Sequence, residues 1–287
     1  MQKRYLKDLD LLDDFLFYTM TNHPKYGEKF SRLLLQIIFK REFKKLKIVP
    51  QKTYYGSDTD KHGARLDLFI EEELEGEKLQ QNATICDIEP EQKLLSKDIK
   101  VISRRVRYYH AIIDSDSLQS GLDYKNLKNV IVIMIMPFDP FGYDHIIYTI
   151  KNTCLEVPEL PYEDGARTLF LYTKGTKGDC GEELKELLRY MEHSVSENAN
   201  CNAVKEIHDM VEHVKQDAEV SLEYMKVYEK ERMLIEEGIE QGIEQGIERG
   251  IEQGRQQAES EFEAERLKLE EEIRLLRKEL AEQQKIR

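Results

Sequence analysis

Residues 65–90 read R-L-D-L-F-I-E-E-E-L-E-G-E-K-L-Q-Q-N-A-T-I-C-D-I-E-P. The two ends differ from the middle. From 65 to 70, Leu66, Leu68 and Ile70 alternate with Asp67 and Phe69, a period of two that predicts a strand. Residues 83–88, A-T-I-C-D-I, have the same β-forming character and predict the return strand. The polar, glycine-containing stretch 71–81 joins them as the long loop of a hairpin.

On the N-terminal side, 47–55 predicts a further strand, and 28–43 carries Phe30, Leu33, Leu34, Ile37, Ile38 and Phe43 at spacings that predict an amphipathic helix. On the C-terminal side, 96–118 carries Ile99, Ile102, Val106, Tyr109 and Ile113 at steps of three, four, three and four, with Ser96 placed to cap the first turn. Residues 130–136, V-I-V-I-M-I-M, are apolar without alternation, which suits a central strand covered on both faces. Residues 145–150 and 168–173 predict two more strands. Helix, three strands, helix and strand in that order argue for an α/β fold with a mixed sheet flanked by helices.

After Gly181 strand signals cease. Helical patterns at 182–195 and 201–214 predict a C-terminal helical extension over 181–228, followed by a glycine-repeat helix at 229–257 and a coiled coil at 258–287. The repeat G-I-E-Q, G-I-E-Q, G-I-E-R, G-I-E-Q places glycine at 238, 242, 246, 250 and 254. Four residues advance a helix by about 400°, so the glycines drift round it by about 40° per step. Each costs about 1 kcal/mol of helix stability against alanine. Close approach of another helix offsets that cost; a weakly constrained repeat is the alternative. Beyond it, Phe262, Leu269, Ile273, Leu276 and Leu280 fit heptad seam positions, interrupted by Arg266, and predict a coiled coil whose simplest partner is a second copy of the chain.

The composition excludes several classes. With 43 basic and 56 acidic residues the formal charge is −13, which repels a polyanion at long range and disfavours general nucleic-acid coating. A local basic patch or a bound divalent cation acts inside the screening length and is not excluded. Cys86, Cys154, Cys180 and Cys201 form no C-x-x-C pair, so a zinc module and a disulfide framework are not expected. The apolar run at 130–136 is far short of the roughly 20 residues that span a bilayer. The mixed charges of residues 1–17 do not resemble a signal peptide. The expectation is a cytoplasmic protein with no membrane partner. Nucleophile-elbow signatures, phosphate-binding glycine loops and dinucleotide fingerprints are missing from the sequence.

Chemistry concentrates at Asp67 and in D-I-E-P-E-Q-K, residues 87–93. Neighbouring strands lie about 4.8 Å apart, so a suitable register brings Asp67 and Glu89 within reach of one divalent cation, with hard oxygen donors that suit Mg²⁺ or Mn²⁺. Pro90 has no amide hydrogen, which marks a strand that ends, kinks or lies at an edge there and leaves its carbonyl able to ligate. Spacing alone favours ordinary solvated carboxylates at strand ends. His110 and His145 read as structural or solvent-facing rather than as general bases.

The stretches A-R-L-D-L-F-I at 64–70, C-D-I-E-P-E at 86–91, R-R-V-R-Y-Y-H at 104–110 and L-D-Y-K-N-L-K-N-V-I-V-I-M at 122–134 resemble the Rpn family of recombination-promoting nucleases and transposase-like proteins, within the PD-(D/E)XK superfamily. The resemblance covers about 13–177 and extends to the glycine repeat. It implies a restriction-endonuclease-like core over 1–180 and Mg²⁺-dependent cleavage of DNA. It implies Asp67 and Glu89 as metal ligands, with the Pro90 carbonyl beside them. Where the superfamily has lysine, and this branch commonly glutamine, the chain has Glu91; Lys93, two residues on, is the cation that could serve in its place, while Glu91 could act as a third acidic ligand.

Two basic clusters could meet phosphate. One is Lys40, Arg41, Lys44, Lys45 and Lys47; the other is Lys97, Lys100, Arg104, Arg105 and Arg107, of which Lys97, Lys100, Arg104 and Arg107 fall at helical steps of three, four and three with Tyr108 beside them. A solvated helix face is the alternative. Two functional readings follow: a metal-dependent endodeoxyribonuclease, or a nuclease-fold protein with an altered motif that serves as a DNA-binding or oligomeric assembly module.

Overall fold

The computed structural model describes residues 4–55, 63–74, 83–92, 99–118 and 120–285, with side chains as far as 278. These fall into two compact units divided between Tyr224 and Met225. Among the described residues the first unit has one six-stranded mixed sheet in the order β1-β2-β3-β4-β6-β5. Its strands are β1 (Leu46–Tyr54), β2 (Ala64–Glu72), β3 (Thr84–Pro90), β4 (Asn129–Met136), β5 (Ile147–Ile150) and β6 (Ala166–Tyr172). β1, β2 and β3 form an antiparallel meander, β4 runs parallel to β3, β6 runs parallel to β4, and β5 returns antiparallel at the edge.

The sequence of β4 explains its central place. Val132 through Met136 are fully buried, so both faces of the strand are covered. On one face Val130, Val132, Met134 and Met136 pack with Ile102, Val106, Tyr109 and Ile113 of α3 (Ile99–Ser117). The intervening Ile133 and Ile135 point to the other face. α1 (Asp14–Asn22) and α2 (Gly27–Phe39) pack against β1 and against each other, and α4 (Glu182–Glu192) and α5 (Asn202–Gln216) pack on α2. Residues 182–216 therefore belong to the same compact unit as the sheet.

Several boundaries differ from the sequence expectation for physical reasons. α2 stops at Phe39, because Lys40 adopts a left-handed conformation with φ 52° and turns the chain away. Phe43 is still buried, 6.0 Å from the Phe39 ring, with the Arg41 guanidinium 3.8 Å above its face. A residue that returns to the same apolar patch after a turn mimics helical periodicity. β5 begins at Ile147, while His145 forms an isolated bridge with Lys177. α1 has no counterpart in the sequence reading; Asp13 caps it by accepting from the Phe15 amide at 3.3 Å. The Ser96 cap lies outside the described residues.

α6 (Ala218–Lys285) begins in the first unit, where Val220 and Tyr224 are buried and Tyr224 sits 5.1 Å from Phe15. The helix runs unbroken through all five glycines of the repeat, and a β-carbon built on any of them meets nothing within 4 Å. Ile239, Ile243, Ile247, Ile251, Phe262, Leu269, Ile273 and Leu276 are exposed. No described helix is long and apolar enough to cross a membrane.

Candidate carboxylate site

The β2–β3 ladder pairs Ile70 with Cys86, Phe69 with Asp87 and Leu68 with Ile88; one further step sets Asp67 opposite Glu89. The ladder gives way there. The Asp67 amide donates instead to Glu89 Oε1 at 2.8 Å, a side-chain acceptor in place of a backbone one. At the same level of β1, Gln51 takes a left-handed φ of 50°, between the pairs Pro50–Leu68 and Lys52–Leu66. The β1–β2 pairing skips this position and resumes in the same register.

Alternation along β3 puts Asp87 on the same face as Glu89. Asp87 is fully buried and Glu89 is 5% exposed, whereas Asp67 is half-buried. Neither Asp87 oxygen meets a hydrogen-bond donor among the described residues. Burial, followed by the charge of Glu89, raises the Asp87 carboxyl well above the usual carboxylate range. Burial, and then the charge of Asp67, pushes Glu89 up to about 8, against the opposing effects of the Asp67 amide and Arg105. Burial and the charge of Asp14, at the start of α1, raise Asp67 to about 6. Without a cation the group retains protons, and a protonated Asp87 can donate to Glu89.

Glu91 lies just past the end of β3 and forms an ion pair with Arg105, which reaches in from α3. Burial disfavours the guanidinium charge, but the hydrogen bond and charge of Glu91 outweigh it and raise the Arg105 pKa. Arg105 Nε is buried without a partner among the described residues, and the guanidinium lies 6.0 Å from the Tyr109 ring centre. The cation at this end of the site thus comes from the helix after β3, and Glu91 fixes it there.

Pro90 ends an interior strand, not an edge strand. Glu91 donates its amide to Ile135 of β4, and successive strand amides point to opposite edges, so the missing Pro90 amide and its carbonyl face β2 beyond the last β2–β3 pair. Lys100, Arg104 and Arg107 are exposed on α3, and Tyr108 is partly exposed beside them. Lys93 and Lys97 lie outside the described residues. Three of the five cations of the other basic cluster pair with acids at and just past the end of β2: Arg41 grips both oxygens of Glu72 at 2.8 and 2.7 Å, Lys45 pairs with Glu73 at 2.6 Å and Lys47 lies 3.9 Å from Glu71.

Asp87 and Arg105 belong to the site although the sequence reading placed Asp87 only at the head of D-I-E-P-E-Q-K and Arg105 only in a basic cluster. Both leave a signal in the sequence: Asp87 shares the parity of Glu89 on a buried strand, and Arg105 lies three residues after Ile102 and four before Tyr109, on the inward side of α3.

Among the described residues no three His, Cys, Asp or Glu side chains form a ready-made metal cage. The donors present are nonetheless of hard-cation type: the Asp67 and Glu89 carboxylates, the Pro90 carbonyl, and behind them an Asp87 carboxyl whose oxygens have no donor. Comparisons with protein-family models, curated proteins and solved structures gave no match.

Proposed function

We propose that the chain is a divalent-metal-dependent endodeoxyribonuclease built on a restriction-endonuclease-like core. The observation that carries this reading is the bond from the Asp67 amide to the Glu89 carboxyl, where the β2–β3 pairing ends. The order α2-β1-β2-β3-α3-β4, an antiparallel meander and then a helical crossover to a parallel strand, fits such a core. Asp67, Glu89 and the Pro90 carbonyl would hold Mg²⁺ or Mn²⁺. When bound, such a cation activates water and polarises a phosphate oxygen.

The chain's own residues supply the rest. Glu91 orients Arg105, whose guanidinium offers a fixed positive charge beside the carboxylates for a phosphate oxygen. Asp87, buried behind them and raised well above the usual carboxylate range, would release its proton only as a cation binds. Lys100, Arg104 and Arg107 give α3 an exposed basic face for neighbouring phosphates of DNA, and self-association through residues 258–287 would present more than one site.

The second reading, an assembly or DNA-binding module with an altered motif, is favoured by Glu91 itself, which occupies the local cation. Nicking of supercoiled plasmid with Mg²⁺ or Mn²⁺, by wild type, Asp67→Ala and Glu89→Ala, separates the two. Nicking lost in both variants supports the nuclease. No nicking with either ion, alongside retained DNA binding, supports the module.

A further inference from the structure

On the α3 side of the sheet, α3 and the β5–β6 edge line an open cleft of about 340 Å³. Its apolar wall is formed by Val106, Phe141, Ile150 and Phe170, the two phenylalanine rings meeting edge to face at 5.3 Å. Three cations, Arg107, Lys151 and Arg167, also line it, and no carboxylate does, in a chain whose formal charge is −13. One nearby acid offsets part of that charge. Glu163 pairs with both Lys151, at 3.2 Å, and Arg167, at 3.0 Å, one carboxylate against two cations. Asp164 accepts from Asn152 at 2.6 Å and from the Ala166 amide at 3.0 Å. Arg107 forms no ion pair with any described residue.

The polar groups of the cleft are unevenly satisfied. His110 Nε2 lies 3.1 Å from Thr168 Oγ1, while His110 Nδ1 is buried without a partner among the described residues. A ligand that suits this wall needs a flat apolar face for Phe141 and Phe170, a hydrogen-bonding ring edge for His110, and negative charge for Arg107. An aliphatic acid lacks the ring edge, a sugar phosphate lacks the flat face, and inorganic phosphate leaves the apolar wall uncovered. A nucleotide supplies all three, and the volume falls at the small end of ligand pockets.

We propose that this cleft is a nucleotide pocket, taking a nucleobase against Phe141 and Phe170 with its phosphate at Arg107. The same chemistry comes from a free nucleoside monophosphate or from a base turned out of a DNA strand. The sheet register relates the pocket to the carboxylates: Asp87 pairs with Val132, and Val132 with Thr168, so Thr168 lies two strand spacings, about 10 Å, from Asp87. Val132, midway between them, is fully buried beneath α3, so this distance is measured through the core and not along the surface. The strand source rests on the proposed nuclease function; the pocket itself does not.

The test is binding by the full chain in EDTA, where no cleavage intervenes. Calorimetric titration with each deoxynucleoside 5′-monophosphate is compared with inorganic phosphate and with the unphosphorylated nucleosides. A second arm follows the fluorescence of 2-aminopurine within a DNA strand. Arg107→Ala removes the proposed phosphate contact, and Ser103→Trp, at an exposed helical position on the rim, fills the space without changing charge. The expected result is monophosphate binding that weakens at least tenfold in both variants and exceeds that of phosphate or nucleoside alone. Brightening of 2-aminopurine, suppressed by Ser103→Trp, identifies the strand as a source; monophosphate binding without brightening identifies free nucleotide. The proposal is overturned if neither probe responds at millimolar concentration, or if binding is the same in both variants as in wild type. Lost plasmid nicking with retained monophosphate binding would count against the nuclease reading alone.

Discussion

Arg105, on the helix that follows β3, forms an ion pair with Glu91, the residue that stands where a lysine or glutamine is expected from the motif. A carboxylate at that position does not leave the site without positive charge. It recruits a guanidinium from α3 and holds it beside Asp67, Asp87 and Glu89, whose mutual repulsion it partly offsets.

Arg105→Ala removes that offset and strands Glu91. Exposed pairs contribute up to about 1 kcal/mol and broken buried pairs cost about 3–5 kcal/mol. Arg105 is 37% exposed against 16% for Glu91, so a loss of about 1–2 kcal/mol is expected, read from urea unfolding. Adding Glu91→Gln to Arg105→Ala should recover part of the loss, because the stranded charge is gone.

His110 gives a pH dependence with a definite sign. Burial lowers its pKa below 6.5, against the raising effects of Asp164 and of the Arg167 backbone. Between 6.5 and the lower folded value, the unfolded chain binds a proton that the native state refuses. The His110 contribution to stability is therefore present above 6.5 and lost as pH falls through the folded value. An NMR titration of the His110 ring should give a midpoint below 6.5; a midpoint at or above 6.5 contradicts a buried neutral imidazole.

The tail makes a separate prediction. Phe262, Leu269, Ile273 and Leu276 are all about half exposed or more on a helix that an isolated chain would hold only marginally. Deletion of residues 258–287 should lower the number of copies per particle seen by light scattering. An unchanged number removes the coiled-coil role. Alanine at Gly242 and Gly246 should raise the helicity of the single chain, since a β-carbon at either position meets nothing within 4 Å, at about 1 kcal/mol per site.

Much of this architecture was legible in the residue pattern because the sheet is covered on both sides. The unbroken apolar run of β4 and the three-four spacing of α3 are direct consequences of burial, and all six strands fall where β-forming runs place them. Helix ends were harder to read: α2 ends on the conformation of Lys40, which no periodicity reports, and Phe43 rejoins the core after the turn. In the site, the pairing of Asp67 with Glu89 follows from strand register. Arg105 was obscured because it sits within a run of basic residues whose other members face outward, and only its position relative to Ile102 and Tyr109 singles it out. The ion pairs that neutralise Arg41, Lys45 and Lys47 join residues about 24–31 apart in the chain, a relationship that charge counting does not contain.

The claim on which the account rests is that Asp67 and Glu89 hold one hard cation between adjacent strands. Electron paramagnetic resonance of Mn²⁺ titrated into the full chain, and into Asp67→Asn and Glu89→Gln, tests it most directly. The account predicts one bound Mn²⁺ per wild-type chain, weakened at least tenfold by either substitution while circular dichroism remains that of the native fold. Free Mn²⁺ throughout the wild-type titration, or binding undiminished in both variants, would contradict it.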